Sequence, residues 1–278
     1  STVPVTIYKM LTLEAIMKRA LTIIQGFLMA IVAIFLVSLL YTFFISIYVI
    51  VTGIKEISPE VNYILMVIAA FVSVVLISIW YRKYMSLRQR DSIVLKKVFS
   101  MKNIGIYLML GIGCQLFISG ILAKLRPLFE TLFSYYDDTI GSLFGADPLV
   151  VILYVIIIAP ILEELIMRGI LFNRLRYGMT FVVANMIQSM VFGIYHMNLI
   201  QGLYAFGTGL ILGYIYEKTR TLMAPIFLHM TINALGIILP NLIGEKFVNG
   251  WMQIVIGLGL LIVALYLFEI NNRHKSVI

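Results

Sequence analysis

The sequence predicts an all-α fold, a polytopic membrane helical bundle of about eight transmembrane helices with both termini cytoplasmic. Three observations carry that expectation. Hydrophobic residues make up 62% of the 278 and charged residues only 12%, with a mean hydropathy of +1.03, whereas about a quarter of a soluble domain's residues are charged. Long apolar runs recur along the whole chain, and about 20 such residues make one helical crossing. The basic residues alternate with the runs: 17 of the 21 lysines and arginines fall on one side and 4 on the other. The positive-inside rule makes the richer side cytoplasmic. With no internal repeat and no long polar stretch, residues 1–278 are expected to form a single integral-membrane domain.

Taken in order, residues 1–20 place Ile7, Leu11, Leu13, Ile16 and Met17 among Lys9, Lys18 and Arg19, a loosely amphipathic lead-in suited to the membrane surface. The chain opens on Ser1 without a methionine, compatible with a processed or engineered start. The first span, near 21–52, runs well past the roughly 7–15-residue core of a secretory signal and has no small-residue cleavage site, so it reads as a retained helix. A turn containing Pro59 leads to a second span near 62–81. Next comes RKYMSLRQRDSIVLKKVFSMK, whose seven basic residues set the orientation.

The third span, near 103–123, holds Cys114, the single cysteine. One cysteine excludes an intrachain disulfide and reads as a small buried residue. In the connection 124–148, Leu128, Phe129, Leu132, Phe133 and Tyr136 recur at helical spacing beside Glu130, Asp137 and Asp138. That pattern describes a helix along the interface, a connector before a lid. Spans four to eight fall near 149–176, 181–197, 201–216, 222–240 and 250–269, the fifth and sixth being short. Ala205, Gly209 and Gly213 form a small-residue stripe for close helix packing, and Asn185, Gln188 and Ser189 read as interhelical hydrogen bonders. The net charge of +8 borders hydrophobic spans, so its partner is the anionic bilayer surface rather than nucleic acid.

The costliest residues in this chain are charges at bilayer depth, where insertion costs at least ~2.5–3.5 kcal/mol per ionised side chain. Of thirteen acidic residues, Glu163 and Glu164 lie well inside a span. His196 and His229 fall within or at the edge of spans, and His274 belongs to the tail. Glu163 precedes the turn at RYGMT by about as many residues as His196 follows it, so each sits roughly 20 Å from the hairpin tip and the two meet across an antiparallel pair. His229 and Asn233, spaced i and i+4, share one face of the seventh span. Glu164 and Arg168 share the same spacing and suit an ion pair, while Glu163 is rotated about 100° from Glu164. Glu163 is therefore read as the reactive carboxylate and Glu164 with Arg168 as its structural support. Pro160, one turn earlier, lacks an amide hydrogen and is expected to bend the helix and free a carbonyl near the site.

Three patterns stand in order, Glu163-Glu164-x-x-x-Arg168, Phe192-x-x-x-His196 and His229-x-x-x-Asn233. Together they resemble the CAAX protease and bacteriocin-processing family, also called CPBP or Abi, which includes type II CAAX prenyl endopeptidase. The resemblance covers about 149–240 as the family-like catalytic core. It implies an intramembrane glutamate-type endopeptidase in which Glu163 and His196 activate a water while His229 and Asn233 form the oxyanion hole. Glu164, Arg168 and Phe192 are supporting residues of the same motifs. The implied partners are a peptide or membrane-protein substrate, reached from the cytoplasmic side or from within the bilayer, and the lipid bilayer itself. The absence of organelle signals fits a prokaryotic cytoplasmic membrane, and processing of a bacteriocin or signalling peptide fits better than true CAAX processing.

Zinc is the alternative the donor set leaves open, since Glu163, His196 and His229 are all zinc-ligand types. The chain lacks H-E-x-x-H and its deep histidines fall on different helices, so the expectation is a site without metal or other cofactor. Cys114 lies outside the cluster and no serine stands in a nucleophile-like motif, which disfavours serine or cysteine chemistry. The polar cluster is confined to one half of the chain, unlike a repeat-built transporter. The rival reading is a non-catalytic immunity or regulatory membrane protein that binds a partner through the same cavity.

Overall fold

The computed structural model describes residues 5–84, 98–144, 147–243 and 249–273. Most of the basic loop after the second span, the connection carrying Lys246 and the tail with His274 lie outside the described residues. The described residues form nine helices: α1 Val5–Thr52, α2 Pro59–Tyr84, α3 Met101–Leu125, α4 Glu130–Phe144, α5 Pro148–Gly178, α6 Phe181–Tyr195, α7 Leu199–Thr219, α8 Met223–Ile243 and α9 Gly250–Arg273. Seven of them, all but α4 and α6, are long and apolar enough to cross a membrane, so the chain is a multi-pass integral membrane protein. The count is one short of the expected eight because α6 has only 15 residues. That is about 22 Å of helix against a hydrocarbon core of about 30 Å.

Polar caps set the helix starts. Ser100, Asp147, Thr180 and Asn198 each accept a backbone N–H at the start of α3, α5, α6 and α7, replacing bonds the first turn cannot make for itself. Arg220 closes α7 in the left-handed conformation at φ 56°. The surface lead-in expected at the N-terminus is instead continuous with the first span. From Val5 to Gln25 the chain has no glycine or proline to end a helix.

Glycines decide how closely the helices approach. On α3 and α9, a methyl on Gly120 would stand 2.6 Å from the Gly250 carbonyl oxygen, and one on Gly257 would stand 2.4 Å from the Phe117 nitrogen. The expected stripe on α7 packs against α6: Gly209 meets Ser189 and Gly213 meets Asn185. The gap this leaves is crossed by hydrogen bonds from Asn185 to the Leu210 carbonyl and from Gln188 to the Gly209 carbonyl. These contacts run antiparallel, so α6 reverses direction between α5 and α7 despite its length. One hydrophobic core surrounds the C-terminal half of α5, and a second joins α3, α7, α8 and α9.

The helix α5 is irregular where the site lies. Its α-helical register widens to π-helix over Leu153–Ile158 and again over Leu165–Phe172, a deviation common at functional sites. Between the two wide turns stands the six-residue α-helical segment Ala159–Glu164, with Pro160 near its start.

Candidate active site

Glu164 is fully buried and sits at the centre of the polar network. Its Oε1 accepts from Arg168 Nη1 at 2.7 Å and from His229 Nδ1 at 2.9 Å. Arg168, equally buried, also donates through Nη2 to the Gly209 carbonyl at 2.9 Å, and its guanidinium lies 4.9 Å from the centre of the Phe192 ring. The i, i+4 pairing read from the sequence is present, and it ties α5 to α7 and α8 at once. A charge at this depth persists because its partners are supplied by the fold.

One residue earlier, Glu163 turns the other way and faces a cavity of about 540 Å³. His196, His229 and Asn233 line the same cavity. The structure therefore brings together all four side chains expected to share a site, from α5, the end of α6, and α8. His229 Nε2 lies 3.7 Å from Glu163 Oε2, beyond direct hydrogen-bond length but within reach of a bridging water. No direct hydrogen bond joins Glu163 to His196 among the described residues.

Partners orient both imidazole rings. His196 Nδ1 lies 2.8 Å from the Phe192 carbonyl, and a carbonyl only accepts, so Nδ1 carries the hydrogen and the neutral ring keeps a lone pair on Nε2. His229 Nδ1 faces a carboxylate and is likewise the donor, which leaves Nε2 directed to Glu163. Phe192 packs edge-on against both rings, with centroids 4.9 Å from His196 and 5.7 Å from His229. The backbone after His196 is held in a tight turn, with Met197 at φ 52° and Asn198 capping α7.

Asn233 is held by a carbonyl that Pro160 sets free. In the wide register the Ala159 amide bonds to Tyr154, so the next amide in line, for the Val155 carbonyl, belongs to residue 160, where proline has none. Asn233 Nδ2 takes that carbonyl at 2.9 Å. The sequence pointed to a freed carbonyl but not to which one, because the shift to π-helix has no signal in residue type.

Sequence reasoning missed several lining residues. Tyr154, Tyr195, Gln201, Tyr204 and Thr208 line the cavity, as do Gln115 and Ser119 of α3 and Tyr136 and Ile140 of α4. Gln115 also donates to the Ile232 carbonyl at 2.7 Å, between His229 and Asn233. A polar face at i and i+4 on α3, Gln115 and Ser119, was the available signal. The α4 segment is more than a connector, since Tyr136 meets Tyr204 ring to ring at 6.4 Å over the cavity. Among the described residues, no three His, Cys, Asp or Glu side chains stand in a group that could hold a metal ion.

Comparison with known proteins points the same way. The family described as "Type II CAAX prenyl endopeptidase Rce1-like" matches residues 145–235. A Bacillus subtilis (strain 168) protein named "Putative membrane peptidase YdiL" is 30% identical over 176 residues, covering 61% of this chain and 68% of that relative. An uncharacterized Escherichia coli protein of 24.3 kDa is 28% identical over 51% of this chain and 67% of its own length. The "Membrane-embedded CAAX protease MroQ" of Staphylococcus aureus (strain USA300) is 31% identical over 31% of this chain and 38% of its own length. No solved structure matches.

Proposed function

This chain belongs to the Rce1-like family of type II CAAX prenyl endopeptidases, and from that premise we propose that it is a glutamate-type intramembrane endopeptidase acting at the Glu163 cavity. The observation that carries the reading is the gathering of Glu163, His196, His229 and Asn233 around one 540 Å³ space inside a membrane bundle.

In this mechanism a water enters between Glu163 and His196, and Glu163 takes its proton as the oxygen attacks the scissile carbonyl. The lone pair on His196 Nε2 accepts the second hydrogen of that water and orients it. The new C–O bond pushes charge onto the carbonyl oxygen. Donors aimed at that charge are Asn233 Nδ2, which has a second hydrogen beyond the one given to Val155, and His229 Nε2. His229 Nε2 joins as a donor when the ring is the imidazolium, since Nδ1 already donates to Glu164. Collapse of the intermediate breaks the C–N bond, and the proton held by Glu163 passes to the leaving amine.

Glu164 and Arg168 act through position, holding the His229 ring so that Nε2 points at the cavity. The reaction proposed uses no metal, and peptide cleavage by purified protein in the presence of a strong zinc chelator checks that point. Substrates of the proposed reaction are secreted or membrane-tethered peptides, bacteriocins or signalling peptides among them, in a bacterial cytoplasmic membrane. The deciding experiment is Glu163→Gln in proteoliposomes. Loss of a general base lowers kcat by about 10²–10⁴-fold with peptide binding retained. If processing persists at the wild-type rate, the peptidase reading fails and the cavity serves a binding role.

A further inference from the structure

We infer that Gln115 of α3 is a peptide-binding residue of this cavity, its side-chain oxygen accepting a backbone N–H of the substrate beside the scissile bond. Resting on the peptidase reading for the bond that is cut, this assignment names what the same site recognises. Beyond Glu163 every residue from Glu164 to Asn173 is buried, so α5 offers the peptide nothing further along. In the proposed mechanism Glu163, His196, His229 and Asn233 all act on the reacting water and carbonyl. What grips the rest of the peptide comes from the remaining wall, where α3 and α4 contribute Gln115, Ser119, Tyr136 and Ile140. All four lie outside residues 145–235, the segment matched by the family.

The Gln115 amide is held by one end only. Its Nε2 donates to the Ile232 carbonyl at 2.7 Å, and a carbonyl only accepts, so the nitrogen is the end turned to α8. Its Oε1 accepts no hydrogen bond among the described residues and is not sealed away, and the side chain lines the cavity. Gly236 makes room for the group: a methyl there would stand 3.0 Å from Nε2, 3.4 Å from Cδ and 3.6 Å from Oε1. The two helices part at this level. One turn earlier a methyl on Gly111 would meet Thr231 and Leu235 at 2.8 and 2.9 Å, and one turn later Ser119 is exposed and lines the cavity. The amide therefore closes the notch between α3 and α8 and presents a bare acceptor next to the turn of α8 that carries His229 and Asn233. An extended peptide brings a free N–H on either flank of the scissile bond, and away from bulk water such a donor needs an acceptor. Ile118, Leu122, Ile140 and Ile237 line the cavity as well, and among the described residues no lysine or arginine does. The ligand class is thus an extended segment whose side chains near the cut are apolar and uncharged.

The test measures binding, so that hydrolysis does not enter it. A panel of fluorescein-labelled decapeptides of Ala, Leu and Phe, capped at both ends, is titrated into detergent-solubilised Glu163→Gln protein. The tightest saturable binder is then methylated at each backbone nitrogen in turn. With Gln115 present, methylation at one nitrogen weakens binding by about 5–10-fold, the loss expected for one hydrogen bond. Adding Gln115→Met, which keeps the volume and removes the amide, weakens the parent peptide by a similar factor and the peptide methylated at that nitrogen no further. Gly236→Ala crowds the amide without removing it and weakens the same interaction in part, and it carries the comparison by itself if Gln115→Met does not fold. The inference is overturned if no peptide of the panel binds saturably or if the substitution leaves affinity unchanged. It is also overturned if every methylated peptide is weakened as much as the parent, the behaviour of a residue that only ties α3 to α8. Wild-type processing by Glu163→Gln sinks the peptidase reading, while the binding comparison still decides the role of Gln115.

Discussion

Two adjacent glutamates with different fates set the residue-scale chemistry. Glu164 is sealed with Arg168 and His229 and Glu163 faces the cavity, so their substitutions diverge. Arg168→Ala leaves Glu164 buried without its main partner and costs about 3–5 kcal/mol, read as a fall in thermal stability of the detergent-solubilised protein. Glu163→Gln is expected to leave stability near wild type while abolishing the proposed turnover. Asn233→Ala removes one donor of the proposed oxyanion hole and is expected to lower kcat by about 10²–10³-fold with KM little changed, measured with a fluorogenic peptide. Met197, at φ 52° beside His196, is a strained position for any residue but glycine. Met197→Gly is expected to hold or raise stability, whereas Met197→Val shifts His196 and lowers kcat. The division between Glu163 and Glu164 was legible because i, i+4 spacing pairs Glu164 alone with Arg168. The strain at Met197 was not, since methionine carries no turn signal.

At the scale of elements, hydrophobic runs located six of the seven candidate crossings to within a few residues, because a span needs only length and apolarity, while the first begins earlier than expected and the short α6 is not among them. What escaped was register and role. The two π-helical stretches of α5 look like any other apolar helix in sequence, yet they choose the carbonyl that holds Asn233. Pro160→Ala supplies an amide to compete for the Val155 carbonyl. It is expected to lower kcat more than it lowers the melting temperature, and a double-mutant cycle with Asn233→Ala checks the coupling. Amphipathic spacing predicted α4 as an interfacial helix, but its seat over the cavity depends on a contact with Tyr204 far away in sequence. The α3–α9 seam gives a packing prediction. A side chain at Gly257 meets backbone at 2.4 Å, so Gly257→Ile overpacks the seam by about 1–3 kcal/mol, seen as a lowered unfolding temperature.

Across the whole molecule, the chain uses its two core clusters unequally. Around the C-terminal half of α5 the bundle is solid, and around its N-terminal half it encloses the cavity. Charge counting along the sequence showed which end is basic, and the family-like motifs indicated which residues share a site. Neither showed where along the bundle the hollow opens, because that depends on where six helices separate and where they close.

The buried layer beneath Glu163 has a consequence for the cell that carries it. A hydrolase needs water halfway through a bilayer, and a channel of water through its full thickness would let protons follow their gradient and drain the energy stored across the membrane. The closed stack from Glu164 to Asn173 seals the floor of the cavity, so the proposed hydrolysis would keep its water on one side of that stack and leave the membrane electrically tight.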